Sequence, residues 1–261
     1  MNDMPAVKPA SAREGYGFTF DFVERLLPQA KRVDLRSGGH CLVAPDDCLL
    51  PGFVVALEVD DILSMQSSQL AQLTAELNGQ SSGFLWFTDD DSDAYQLAWR
   101  ARLPCRPISA MFGWRDDIEH GESAFKAEPL KDKSRSGVGA LIEGLVAKPV
   151  HTGGWTSRDA DIALENGQSL EVRRDDEVIA LITSFEHGDG VHVSVGGQLA
   201  DGHKGQGFEA EALKATARHF ASLGKKVVTG AANTDEEALK IVTSLGMPLI
   251  KKGWSAQLGT F

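Results

Sequence analysis

Strand-like runs and helical periods alternate along this chain, and that alternation limits its fold more than any other feature. Apolar residues recur at helical spacing over Phe18 to Leu27, Ser67 to Leu77, Ser92 to Arg102, Gly137 to Ala147, Phe208 to Leu223 and Asp235 to Leu245. Short β-rich runs lie between them, clearest at Gly83 to Phe87, Ser169 to Arg173, Val178 to Phe185, Val191 to Val195 and Lys226 to Thr229. Helices that must each bury one apolar stripe, interleaved with strands, point to α/β or α+β order. The reading taken is α/β, a mixed sheet with flanking helices.

The order of elements occurs twice. Asp89 to Leu97 aligns without a gap on Asn233 to Ile241, a shift of 144 residues, and the same shift carries Leu103-Pro104 onto Met247-Pro248. It also sets the strand at Phe84 on the strand at Val228, and the helix near Ser67 on the helix near Phe208. A duplicated domain explains this better than coincidence. The join is expected in the polar segment Asp116 to Ser136, giving domains over 1–130 and 131–261.

Composition narrows the partners. A formal net charge of -11 argues against nucleic acid, whose phosphates need clustered Lys and Arg. No apolar run reaches the roughly 18 residues that span a bilayer, so no membrane partner is expected. Met1 to Pro5 does not read as a secretory signal. Cys41, Cys48 and Cys105 include no Cys-x-x-Cys pair and complete no metal spacing with His40, which suits a reducing cytoplasm and no metal. Asp89 to Asp93 lacks the Gly and terminal Glu of a calcium loop and reads as an acidic helix start. Trp86, Trp99, Trp114 and Trp254 fall in or beside predicted elements and are expected in the core.

The two halves differ at one loop. Ahead of its helix the second half has Asp201-Gly202-His203-Lys204-Gly205-Gln206-Gly207, whereas the first has no glycine between Gly52 and Gly79. A Gly-x-Gly turn opening a helix aims successive amides at one point and adds about half a positive charge from the helix dipole. A pyrophosphate suits such a turn, with His203 and Lys204 as further donors, and a plain glycine-rich turn between strand and helix is the alternative. Upstream, Val191 to Val195 runs into Gly196-Gly197, where a bulge or bend is expected. His151 to Trp155 reads as a turn before a helix-like Ser157 to Leu164.

Lys204-Gly205-Gln206-Gly207-Phe208 resembles the Arg/Gln-Gly-x-Gly-x loop of the GNAT superfamily of CoA-dependent N-acyltransferases. Asn233 to Met247 resembles that family's Asn-x-x-Ala…Leu-Gly-Phe segment. The likeness covers about Ser169 to Trp254, and with the repeat the chain resembles two GNAT-like domains in tandem. It implies an N-terminal copy that is degenerate and shapes the acceptor pocket, and a C-terminal copy that binds acyl-CoA. The implied activity is transfer of an acetyl or other small acyl group from CoA to a primary amine of a small molecule. A homodimer stays open. The alternative is a non-catalytic CoA-binding or partner-binding module.

The resemblance further implies contacts to acetyl-CoA, or another acyl-CoA, from Val195, Gly197, His203, Lys204, Gly205, Gln206, Gly207, Phe208 and Asn233. An amide near Val195 to Gly197 would stabilise the developing oxyanion. A base must take the amine's proton, and His192, Glu186 and Ser194 are the candidates. The chain departs from the family in four places. Glu209 stands where Gly or Ala is usual, and Lys204 replaces Arg or Gln. Counted back from Ala238, the asparagine position falls on Asp235. No tyrosine lies near Val242, where the family's proton donor would be.

Overall fold

A computed structural model of the chain describes residues 20–27, 29–35, 38–44, 52–60, 83–89, 92–116, 118, 123–145 and 168–258. The expected helices at Ser67 to Leu77 and Ser157 to Leu164, and the turn at His151 to Trp155, lie outside them. The chain forms two compact units, Met1–Ala110 with Lys251–Phe261, and Met111–Ile250.

The first unit holds helix α1 (Phe20–Leu26), strands β1 (Lys31–Asp34), β2 (His40–Val43), β3 (Phe53–Glu58) and β4 (Gly83–Thr88), helix α2 (Ser92–Arg100) and most of β5 (Cys105–Gly113). Hairpin-like antiparallel pairing joins β1, β2 and β3. Strands β3 and β4 run parallel, with Phe53 opposite Phe84 and Val54 opposite Leu85. Alternation in β4 buries Leu85 and Phe87 against Tyr95, Leu97 and Ala98 of α2. Trp99 departs from expectation and is 63% exposed. Ala94, Leu97 and Ala98 occupy the inward stripe of α2, and each further residue turns about 100° round the helix, which carries Trp99 outward.

The second unit holds β6 (Phe125–Pro129), α3 (Arg135–Leu145), β7 (Leu170–Arg174), β8 (Glu177–Glu186), β9 (His192–Leu199), α4 (Phe208–Ser222), β10 (Lys226–Ala232) and α5 (Glu236–Ser244). Its strands lie in the order β10-β9-β8-β7-β6. Pairing is antiparallel from β6 to β9 and parallel between β9 and β10, so the sheet is mixed. Strand β6 falls inside the polar segment expected to be a join. As the outermost strand it buries Phe125 and leaves Lys126 and Pro129 exposed, so its sequence carries little apolar alternation. Helix α3 sets Val138, Ile142 and Leu145 on Leu181 of β8. Helix α4 turns Ala212, Ala215, Thr216 and Phe220 inward. Asp235 caps α5, its carboxylate accepting from the Ala238 amide at 2.9 Å.

The final strand, β11 (Leu249–Leu258), follows α5 in sequence but lies in the first unit over most of its length. It pairs antiparallel with β4, from Gly253 opposite Thr88 to Leu258 opposite Gly83, and buries Trp254, Ala256 and Leu258 in that unit's core. The residues after β5 lie in the second unit, where the Trp114 amide donates to the Val227 carbonyl of β10 at 2.8 Å. At the 144-residue shift read from the sequence, α2 coincides with α5 residue for residue, and β5 begins where β11 begins. Among the described residues no helix is long and apolar enough to cross a membrane.

Phe220 is fully buried at the inward face of α4. Phe220→Ala is expected to lower the unfolding free energy by about 3–5 kcal/mol, the range for emptying a buried aromatic site. A urea titration followed by far-ultraviolet circular dichroism measures it.

Candidate functional site

Strands β9 and β10 pair from His192 with Lys226 to Val195 with Thr229, where the Thr229 hydroxyl donates to the Val195 carbonyl at 3.2 Å. Pairing ends there, yet β9 continues to Leu199 and β10 to Ala232. The two parallel strands therefore separate, and an opening lies between their carboxyl ends, the usual place for a ligand in an open α/β sheet.

Strand β9 carries no bulge at Gly196-Gly197, where a bulge or bend was expected. It stays in register with β8 throughout, Gly196 opposite Thr183 and Gly197 opposite Ile182. The glycine has a packing cause: a Cβ on Gly197 would stand 2.6 Å from Ile182 Cδ1 and 3.0 Å from the Leu181 carbonyl oxygen. A side chain there would need the Ile182 side chain to move aside and the Leu181 carbonyl to give way slightly.

Backbone alternation decides which amide faces the opening. The Lys226 amide donates to the Val191 carbonyl, so Val191 faces β10, whereas the His187 amide donates to the His192 carbonyl, so His192 faces β8. Continuing the alternation, Val193, Val195 and Gly197 face β10, and Ser194 and Gly196 face β8. Gly197 is the first such residue beyond the last pairing with β10. Its N–H and C=O are aimed into the opening.

After β9 comes a short 3-10 turn, Asp201–His203, and then the glycine loop. Gly205 and Gly207 have φ of 72° and 81°. Both lie in the left-handed region, which an L side chain enters at a cost of about 1–2 kcal/mol. Gly207 is the N-cap of α4, without a side-chain cap bond, and a Cβ on it would meet nothing within 4 Å. Conformation rather than space requires glycine there. The amides of Phe208, Glu209 and Ala210 follow in the first helical turn, where an α-helix provides no backbone acceptor.

Ring contacts fix the start of α4. Phe208 packs edge-on to Phe125 of β6 at 5.1 Å and lies 4.9 Å from the His203 ring, with the Arg174 guanidinium 5.2 Å over its face. His203 Nε2 is 3.3 Å from Glu177, and the Gln206 side chain donates to the Gly202 carbonyl at 2.7 Å. His203 and Gln206 thus brace the loop through their side chains. Glu209 reaches back over it: the Gly205 amide donates to Glu209 Oε1 at 2.9 Å.

Val195 ends the pairing with β10, Gly197 lies past it within β9, His203, Lys204, Gly205, Gln206, Gly207 and Phe208 lie beyond the carboxyl end of β9, and Asn233, exposed, immediately follows β10. Glu186, His192 and Ser194 are not gathered with them. Ser194 lies three residues and His192 five residues before Gly197, which is about 10 and 16 Å along a strand. Each has another partner. Glu186 pairs with Lys225, His192 Nδ1 lies 2.7 Å from Asp189, and Ser194 Oγ lies 2.7 Å from Nε2 of the buried His187. Sequence reasoning did not pick out Thr229, Arg174 or His187. Thr229 sat within a predicted strand, and the partners of the other two are settled by pairing and packing.

Desolvation raises the pKa of Asp189, but the His192 amide, the His192 ring and the Val191 amide outweigh it and bring the carboxyl to about 2. Its ordinary value is about 3.9. The stability it contributes is therefore present above about pH 4 and lost as pH falls through about 2.

No family model matches the chain, and no curated protein matches it. Solved structures do. A GNAT-family acetyltransferase from Colwellia psychrerythraea matches with a TM-score of 0.65 at 11% identity, over 89% of this chain and 87% of that one. A GCN5-related N-acetyltransferase from Kribbella flavida matches with 0.60 at 16% identity, over 90% and 91%. Another, from Sphaerobacter thermophilus, matches with 0.54 at 11% identity, over 86% and 81%. At these identities the likeness is one of fold. The chain has the GNAT acetyltransferase fold.

Two outcomes follow from the geometry. Gly197→Val is expected to lower the melting temperature by several degrees, because its side chain meets Ile182 and the Leu181 carbonyl; differential scanning calorimetry measures this. Asp189→Asn should lower the melting temperature at pH 7, and the gap from the parent should close as pH is taken from about 4 to about 2.

Proposed function

We propose that this chain is a CoA-dependent N-acyltransferase that moves an acetyl or other small acyl group from acyl-CoA to a primary amine of a small molecule. The observation that carries this is the parting of β9 from β10 after Val195 and Thr229, which turns the Gly197 backbone toward the opening. In this reading residues 131–261 form the acyl-CoA-binding domain, and 1–130 its degenerate tandem copy.

The residues present fit such a donor. Gly205 and Gly207 give the loop its positive φ angles, and the space around Gly207 is clear. Amides at the start of α4 face the approach with the positive end of the helix dipole behind them. The pantetheine arm would run along the unpaired edge of β9, with Val195 and Gly197 as its backbone partners and Asn233 across from them. The Gly197 N–H, fixed before reaction by β8 on the other side of the strand, would donate to the thioester carbonyl oxygen as negative charge grows there. A preorganised donor of this kind contributes roughly 3–4 kcal/mol. Alignment of amine and thioester in one cleft supplies a further share. Because Glu186, His192 and Ser194 are engaged about 10 Å or more from Gly197, the reading assigns none of them as base.

A second reading is a CoA-binding or partner-binding module without turnover. One observation favours it: the Glu209 carboxylate on the Gly205 amide, in the loop that would hold the phosphates.

Acetyl-CoA at high excess is expected to raise the melting temperature, because a ligand of the native state must shift unfolding. Under the enzyme reading, release of free CoA thiol from acetyl-CoA should also depend on an added primary amine, followed with a thiol reagent across an amine panel. Stabilisation without amine-dependent release would leave only the binding module. Absence of both would remove each CoA reading.

A further inference from the structure

The glycine loop already holds a negative charge of the chain's own. Glu209 Oε1 accepts from the amide of Gly205, four residues before it in sequence, at 2.9 Å, so the side chain folds back over the start of its own helix. A second carboxylate stands close by: Glu237 Oε1, from α5, is 3.9 Å from the position a Cβ on Gly205 would take. The Gln206 amide is also taken, by the His203 carbonyl at 3.4 Å. A diphosphate approaching this loop meets one donor occupied by a carboxylate oxygen and negative charge from two glutamates.

We propose that Glu209 acts as an internal anion that stands in for a phosphate oxygen and weakens the loop's hold on the diphosphate of the acyl donor. This rests on the CoA reading above and adds to it how tightly, and by what competition, the donor is held. The carboxylate and a phosphate oxygen use the same amide, so they exclude one another there. Binding requires the Glu209 side chain to rotate away, which its chain of single bonds allows without moving α4. Donor affinity is then set by the difference between two anions on one amide. It falls below that of the same loop without the glutamate. The effect is confined to donors that carry a diphosphate, because an acyl-pantetheine would lie along β9 and never reach Gly205.

The test is isothermal titration of the full chain with acetyl-CoA and with acetylpantetheine, for the parent, Glu209→Ala and Glu209→Gln. Acetyl-CoA should bind Glu209→Ala about tenfold or more tightly than the parent, the scale of one charge-assisted hydrogen bond exchanged between ligands. Glu209→Gln keeps the length of the side chain and an acceptor oxygen, so it should show a smaller gain. Acetylpantetheine should show no gain with either. The advantage of the variants should shrink at high salt, since part of it is repulsion between charges. Equal or weaker acetyl-CoA binding by both variants, with melting temperatures like the parent's, overturns the proposal and leaves the CoA reading standing. So does an equal gain for acetylpantetheine. If neither parent nor variants bind acetyl-CoA, the CoA reading fails and the proposal fails with it.

Discussion

The hydrogen-bond ladder between β9 and β10 stops at Val195 and Thr229 while the ladder between β9 and β8 does not, and the candidate site depends on that inequality. A strand held on both sides has every amide engaged. A strand held on one side presents every second residue's N–H and C=O to whatever lies on the other. Gly197 is where this first occurs on β9, and the antiparallel partner keeps it rigid. The same glycine permits the close approach of β9 to Ile182 and the Leu181 carbonyl of β8.

The glycine loop adds a second constraint, an electrostatic one. Two left-handed glycines and the start of a fifteen-residue helix gather amides beyond the end of β9, and Phe125, Arg174 and His203 fasten the first residue of that helix to the sheet. Such a concentration of donors draws an anion. Glu209 supplies one internally. The Gly205 amide is therefore engaged in the absence of ligand, while the first amides of the helix still lack a backbone acceptor.

Pairing also shapes each compact unit. Strand β11 follows α5 in sequence but pairs with β4, and the chain after β5 bonds to β10, so each unit includes chain from the other half of the sequence. The bounds of the two units consequently fall within β5 and β11.

The sequence by itself determined the local elements of the second unit, because helical periods and short β-rich runs are short-range signals: α4, α5, β8 and β10 lie within a residue or a few of where apolar spacing puts them. It also determined the glycine loop, since only glycine takes the φ of 72° and 81° found there without strain. Strands β6 and β11 were less legible. An outermost strand needs little apolar alternation, and β11 buries Lys251 among its apolar residues. Only the tertiary structure decided what surrounds the loop. It placed Glu209 on Gly205, kept His192 and Ser194 back along β9 from Gly197, and held Glu186 at the end of β8 on Lys225. Residue types name the groups that could serve, but pairing register and strand length decide which of them reach the same opening.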